Sequence, residues 1–415
     1  MENTVTSSAS QQKIHLPSLL MLLLTGFGLL SCLGTAGGAF VLGLFSLAGQ
    51  FSALENVQSL FALAWISAGL GALLVPSLVM AFLRLINRDS PLFHIHPSPR
   101  LSSWFMLFYP VLLIVGGVVS SVEGLAVTLL PPIQVLAIVI PVWWLIETGR
   151  RSLNVRDPQR AWGVLSVGIT VSSTVIMAVE VIILILAAVL AGIWLSQNPA
   201  LMEQFTRIMQ RLANAEMNPV VIERILKPLL KNPLFTYATI TFTAGLVPLV
   251  EELFKPLAVW LLAGKRLTPR QGFVFGMISG GSFALVESLM MFINPAGSDW
   301  TVWVIGRLGT LLLHITTAGL LGWALASTWR DGKYIRVLLI YVVDVTIHAL
   351  WNVFAILAGL QALLPLDEMA QNTPLLTRLG IIAPGGLMVL SVLLFALFTG
   401  ANRFLRRRDN QLLMV

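Results

Sequence analysis

Glu251 and Glu252 stand side by side in the string Gly245-Leu-Val-Pro-Leu-Val-Glu-Glu-Leu-Phe-Lys-Pro256, inside an apolar run from Leu234 to Ala263. The run is long enough to cross a bilayer, and a carboxylate at membrane depth is expensive unless it is paired, protonated or wetted by a cavity. Lys255 follows at i+4 and i+3, so a helix sets its ammonium beside the pair, where it can neutralise one carboxylate and leave the other for chemistry. Three later apolar runs carry Glu287, His314 and His348. Asp344, His348 and Asn352 are spaced i, i+4, i+8, so one helix face offers a carboxylate, an imidazole and an amide. Asp344 can orient the His348 ring, and Asn352 can donate to an oxyanion.

Two carboxylates, two imidazoles and an amide suit hydrolysis of a peptide bond. A glutamate deprotonates water, a histidine protonates or polarises, and an amide holds the oxyanion. The same residue types are zinc ligands, which makes His314, His348 and Glu287 candidate ligands for a catalytic metal with one open position. The sequence lacks H-E-x-x-H, which excludes a zincin-type site. No residue is assigned to an organic cofactor.

The elements that position these groups are membrane helices. Of 415 residues, 57% are hydrophobic and 11% charged, against about 25% charged in soluble domains. Mean hydropathy is +0.86. The expected fold is all-α, a polytopic integral membrane bundle of about ten transmembrane helices near 18–47, 58–86, 102–122, 124–146, 161–196, 234–263, 271–293, 302–327, 335–362 and 380–402. Lys and Arg gather in alternate loops, around Arg84 to Arg100, Arg150 to Arg160, Lys265 to Arg270, Arg330 to Arg336 and Arg403 to Arg408. The positive-inside rule then puts both termini in the cytoplasm and accounts for the +7 net charge without a nucleic-acid partner. The single cysteine, Cys32, excludes an intrachain disulfide. The first apolar run reads as a retained span, since neither a basic leader nor a small-residue cleavage site flanks it.

Helix rise gives depth. Counted from each cytoplasmic end at ~1.5 Å per residue, Glu252 lies ~17 Å deep, His348 ~18 Å, His314 ~20 Å and Glu287 ~24 Å. Four groups on four spans thus share one layer near mid-membrane. Pro248 and Pro256 each remove a helix hydrogen bond around the glutamate pair. Gly272, Gly276 and Gly280, with Ala284 continuing the face, allow close helix packing, and Phe283 shares a face with Glu287.

Four segments are expected: a five-span membrane domain at 1–200, an amphipathic linker at 201–233, a catalytic membrane domain at 234–362, and a final span with a basic tail at 363–415. In the linker, Met202, Phe205, Met209 and Leu212, then Ile222, Ile225 and Leu229, recur at helical spacing and predict two amphipathic helices on the outer surface. Glu180 in the fifth span reads as a partner in a local interhelical bond, and His94 and His96 as surface histidines.

Taken together, Glu251-Glu252-Leu-Phe-Lys255, Phe283-Ala-Leu-Val-Glu287, His314 and His348-Ala-Leu-Trp-Asn352 resemble the PrsW family of intramembrane proteases over roughly residues 234–360. That family is similar to the type II CAAX prenyl proteases and bacteriocin-processing enzymes. In those relatives the paired-glutamate helix ends in Arg and the second motif in His. Here Lys255 and Glu287 stand instead, which favours PrsW. The resemblance implies cleavage of membrane-protein substrates, anti-sigma factors being the family theme, in a prokaryotic cell membrane. One of Glu251 and Glu252 would activate water, His348 and Asn352 would stabilise the oxyanion or move a proton, and Glu287 and His314 would complete the pocket. The family is labelled metalloprotease, while its prenyl-protease relatives have been argued to work without metal, so zinc-dependent and metal-free chemistry both stand. Two alternatives also stand: a proton- or ion-coupled transporter, which should show internal repeats and ionisable residues in both halves, and a non-catalytic membrane scaffold.

Overall fold

The computed structural model describes residues 15–49, 57–88, 99–155, 157–214, 221, 224–225, 232–293, 300–363 and 374–412. His94 and His96, and most of the second expected linker helix, lie outside them. The described residues form helices and no strand. In chain order these are α1 (Leu16–Leu47), α2 (Val57–Leu85), α3 (Pro99–Leu107), α4 (Tyr109–Ser120), α5 (Glu123–Arg150), α6 (Pro158–Val167), α7 (Ser173–Ser196), α8 (Pro199–Ala213), α9 (Pro233–Thr241), α10 (Val247–Phe254), α11 (Leu257–Trp260), α12 (Pro269–Met291), α13 (Trp300–Asp331), α14 (Ile335–Leu363) and α15 (Pro374–Leu412). Among the described residues, nine helices or helix runs are long and apolar enough to cross a membrane, and α3 with α4 forms a tenth candidate bent by 42°. The protein is an all-α polytopic membrane bundle. Its outer faces carry large apolar side chains to the lipid, such as Phe27, Leu190 and Met388, exposed by 75%, 67% and 71%.

The third span is broken where one straight helix was expected. Pro110 lacks the N–H that would continue α3, so the chain restarts as α4 after Phe108. The contacts make the bent pair a crossing and not a re-entrant loop. Phe105 on α3 packs on Trp143 near the C-terminal end of α5, with ring centroids 5.8 Å apart. At the other end Gly116 on α4 receives the ring of Trp300, the first residue of α13.

Two spans carry a π turn, Gly168–Ser172 between α6 and α7 and Phe242–Leu246 between α9 and α10. Such turns put an extra residue into a helix and free a backbone carbonyl. The sixth span then stops at Lys255, because Pro256 cannot donate to the preceding turn, and α11 adds one further turn.

The centre of the bundle is the antiparallel pair α12 and α13. Thr268 caps α12 through a capping box with Gln271, and Pro269 takes its first turn. The glycine stripe does what its spacing predicts. Gly272 faces the Gly322 backbone, Gly276 the Ala318 carbonyl and Gly280 the His314 carbonyl, each too close for a Cβ. Spans of the N-terminal half pack on this pair, so the two halves share one hydrophobic core; Ile138 and Val142 of α5 belong to it with Phe273 of α12 and Leu311 of α13.

A methyl at Gly280 would meet main chain, whereas one at Gly281 would meet the movable side chains of Ile146 and Val142. Gly280→Ala is therefore expected to cost about 1–3 kcal/mol of stability and to displace His314, with a loss of activity approaching about 10²-fold for a 1 Å shift. Gly281→Ala should stay near wild type. Thermal melting and cleavage rates of the two variants check this, and equal behaviour would refute the packing account.

Candidate active site

The helix break brings Lys255 into the centre of the bundle. Its freed carbonyl accepts a hydrogen bond from Ser279 Oγ on α12, and its side chain is completely buried. Lys255 Nζ donates to Glu252 Oε1 at 2.8 Å and lies 2.9 Å from Glu251 Oε2. It also reaches His314 Nδ1 at 2.5 Å and lies 3.4 Å from His348 Nδ1. The expectation that Lys255 neutralises one carboxylate and leaves the other is thus corrected. Positions i+3 and i+4 fall on either side of one direction across the helix, and a four-carbon stem lets the ammonium sit between both glutamates.

Each imidazole is held by its own carboxylate. His348 Nδ1 pairs with Glu252 Oε1 at 2.8 Å. His314 Nε2 pairs with Glu287 Oε2 at 2.8 Å. These partners assign the tautomers: His348 carries its proton on Nδ1 and presents the Nε2 lone pair, while His314 carries it on Nε2 and presents the Nδ1 lone pair. The two rings meet edge to face with centroids 5.2 Å apart, and Glu251 Oε2 lies 3.8 Å from His348 Nε2. Phe283 closes the side, with Lys255 Nζ 5.2 Å from its ring centroid.

Two residues depart from the roles expected of them. Asp344 does not orient His348, because Glu252 holds that nitrogen. Asp344 is fully buried one turn away, and neither of its oxygens has a hydrogen-bond partner among the described residues. Asn352 uses its amide to bind the Thr243 carbonyl at 2.8 Å, in the π turn above the glutamates. It still lines the cavity, and its second N–H is the one left for a substrate.

Arg307 is the functional residue that the sequence reading missed. It donates to Glu287 Oε2 at 2.7 Å and to Ser288 Oγ at 3.0 Å. The signal was the seven-residue interval from Arg307 to His314, which puts both on one face of α13. Glu180 departs from expectation in the opposite sense. Its Oε1 is buried without the interhelical partner expected for it among the described residues.

A cavity of about 580 Å³ runs from this centre toward the far ends of α12 and α14. Glu251, Glu287, Arg307, His348 and Asn352 line it, and Glu180 joins them from α7. Glu252 and Lys255 do not reach it and lie behind Glu251. The polar wall is set among methionine, valine and aromatic side chains, so water and charge are confined to one side of the site.

The donor set suits a metal ion. Glu251, His314 and His348 each offer a ligand atom, all within 4.8 Å of one another and all buried. The second nitrogen of each imidazole is bonded to a carboxylate, the arrangement that fixes ring orientation around bound metals. Glu287, offered by the sequence as a ligand, is engaged by Arg307, and Glu251 completes the compact group in its place.

A family model described as PrsW family intramembrane metalloprotease matches residues 180–397. The chain belongs to this family. No curated protein and no solved structure matches it. The PrsW match reaches past 234–362 on both sides, from Glu180 on α7 to Leu397 on α15, and so takes in the α7 wall of the cavity. As a PrsW protein the chain is an intramembrane protease. The transporter and scaffold alternatives lack comparable support.

Proposed function

We propose that this PrsW protein hydrolyses peptide bonds of single-span membrane proteins with water activated between Glu251 and His348. The observation that carries the proposal is their position, 3.8 Å apart on the wall of a cavity inside a membrane bundle. A water bridging Glu251 and His348 Nε2 gives its proton to the carboxylate or to the imidazole lone pair. Glu252 keeps His348 in the tautomer that exposes Nε2. Glu287, set by Arg307, does the same for His314. The free N–H of Asn352 supports the developing oxyanion. Lys255 offsets the charge of the glutamate pair.

Zinc is the metal that the ligand types favour, and Glu251, His314 and His348 would hold it. Lys255 Nζ, which meets both His314 Nδ1 and Glu251 Oε2, would then have to withdraw to Glu252, its nearer carboxylate partner. Bound there, the ion supplies Lewis-acid polarisation of the carbonyl and a lowered pKa for water.

Alternate basic loops and ten crossings support cytoplasmic termini. The anti-sigma-factor theme supports substrates of that kind in a prokaryotic plasma membrane, and the three-motif pattern supports kinship with CAAX proteases. The segment division is proposed with one change: α7 belongs to the catalytic unit that begins near residue 180, and 201–233 remains its amphipathic linker. The first helix of that linker, α8, turns Leu201, Met202, Phe205 and Met209 outward, as the bilayer interface requires.

The test is cleavage of labelled single-span segments by the purified protein in detergent, with zinc content measured by mass spectrometry. His348→Ala should lower the rate by about 10²- to 10⁴-fold. Zinc should remain near one ion per chain after dialysis and be lost in His314→Ala and His348→Ala. Cleavage that survives His348→Ala would sink the hydrolytic reading. Full activity with no bound metal would remove zinc and leave the glutamate chemistry in place.

A further inference from the structure

Glu180 has no part in the machinery above, yet it stands on the wall of the same cavity with Glu251, Glu287 and Arg307. The other two carboxylates of that wall have cations: Glu251 has Lys255 at 2.9 Å and Glu287 has Arg307 at 2.7 Å. Glu180 pairs with no cation among the described residues, and its Oε1 is buried without a hydrogen-bond partner there. Glu180 as a whole is half-buried, and a buried carboxylate oxygen left alone carries a cost that falls when a ligand brings the missing partner. Apolar, deformable side chains fill much of the remaining lining, with Met177, Met290 and Met291 among them. Methionines adapt to side chains of varied shape, so they impose little selection of their own. Low polarity around Glu180 strengthens any charge interaction it makes.

A substrate helix must open locally to offer a carbonyl to Glu251 and His348, and its opened residues then enter this cavity. We propose that Glu180 is a specificity-determining residue that binds a cationic side chain, lysine or arginine, of the substrate next to the scissile bond. The assignment rests on the endopeptidase reading. It explains why α7, from the N-terminal half, borders the catalytic cavity. A charge-assisted pair of this kind is stronger than a neutral hydrogen bond, and the other carboxylates of the wall, Glu251 and Glu287, already have cations.

The probes are labelled single-span peptides that differ at one position, scanned through the outer half of the span as Lys, Leu or Glu. Binding and cleavage are both followed with the full-length protein in lipid nanodiscs. Wild type is expected to bind the best-placed Lys peptide about tenfold more tightly than its Leu counterpart, with KM lowered to match. Glu180→Gln should erase the preference. Glu180→Lys should turn it toward the Glu peptide, a gain that misfolding cannot produce. The same Lys-over-Leu ratio in wild type and Glu180→Gln, or no Lys preference in wild type, would overturn the assignment. A Glu180-dependent binding preference without cleavage would remove the endopeptidase reading and leave Glu180 as a cation-binding residue. Cleavage with no Glu180-dependent preference would do the reverse.

Discussion

Glu251→Gln is expected to lower cleavage of a membrane-spanning substrate by about 10³-fold or more, the upper part of the range for loss of a general base. The size follows from position. Of the two adjacent glutamates, Glu251 alone borders the cavity. Glutamine keeps its volume and an acceptor oxygen but cannot take a proton from water. Glu252→Gln acts differently, because Glu252 is fully buried and touches Lys255 and the inner nitrogen of His348. Its loss frees the His348 ring to change tautomer, with an expected fall of about 10- to 100-fold, as for the outer partner of a metal-binding histidine. Single-turnover rates for both variants decide the assignment. A larger loss in Glu252→Gln than in Glu251→Gln would exchange the two roles.

Lys255→Met carries the largest expected effect on stability. The ammonium is completely buried and lies within 2.9 Å of both glutamates. Removing one partner of a buried ion pair leaves a charge without compensation, at about 3–5 kcal/mol. Here two carboxylates are orphaned, so the variant is expected to unfold at a markedly lower temperature and to express poorly. Adding Glu252→Gln to Lys255→Met should recover a substantial part of the stability, since one orphaned charge is then gone. It should recover no activity. Melting temperatures of the two single variants and the double variant give the coupling. Strict additivity would show that Lys255 is not the charge partner of Glu252.

The polar layer was legible in the sequence because apolar runs make charge conspicuous. Glu251, Glu252, Glu287, His314 and His348 each interrupt such a run, and helix rise alone put them at one depth. The glycine stripe was legible for the same kind of reason, a spacing of four with no side chain. What the sequence hid was direction. A depth does not say which way a side chain turns, so Asp344 was matched to His348 by spacing on one helix, while the ring turned to Glu252 on another. Arg307 escaped because an arginine near a span end reads as an interfacial anchor. Asn352 was read for its chemistry, and the π turn that takes one of its N–H groups leaves no mark in composition. The break in the third span follows from Pro110, but only tertiary contacts at both ends show that it crosses the bundle.

Glu252, Lys255 and Asp344 are fully buried behind Glu251, whereas the cavity opens on its other side. Water therefore meets the ionisable cluster from one direction. A membrane keeps its gradients only while it insulates, and a wet passage right through the bundle would leak them. Packed Lys255 and Glu252 close the side away from the cavity, so water can enter a site deep in the bundle from one face while the other stays dry.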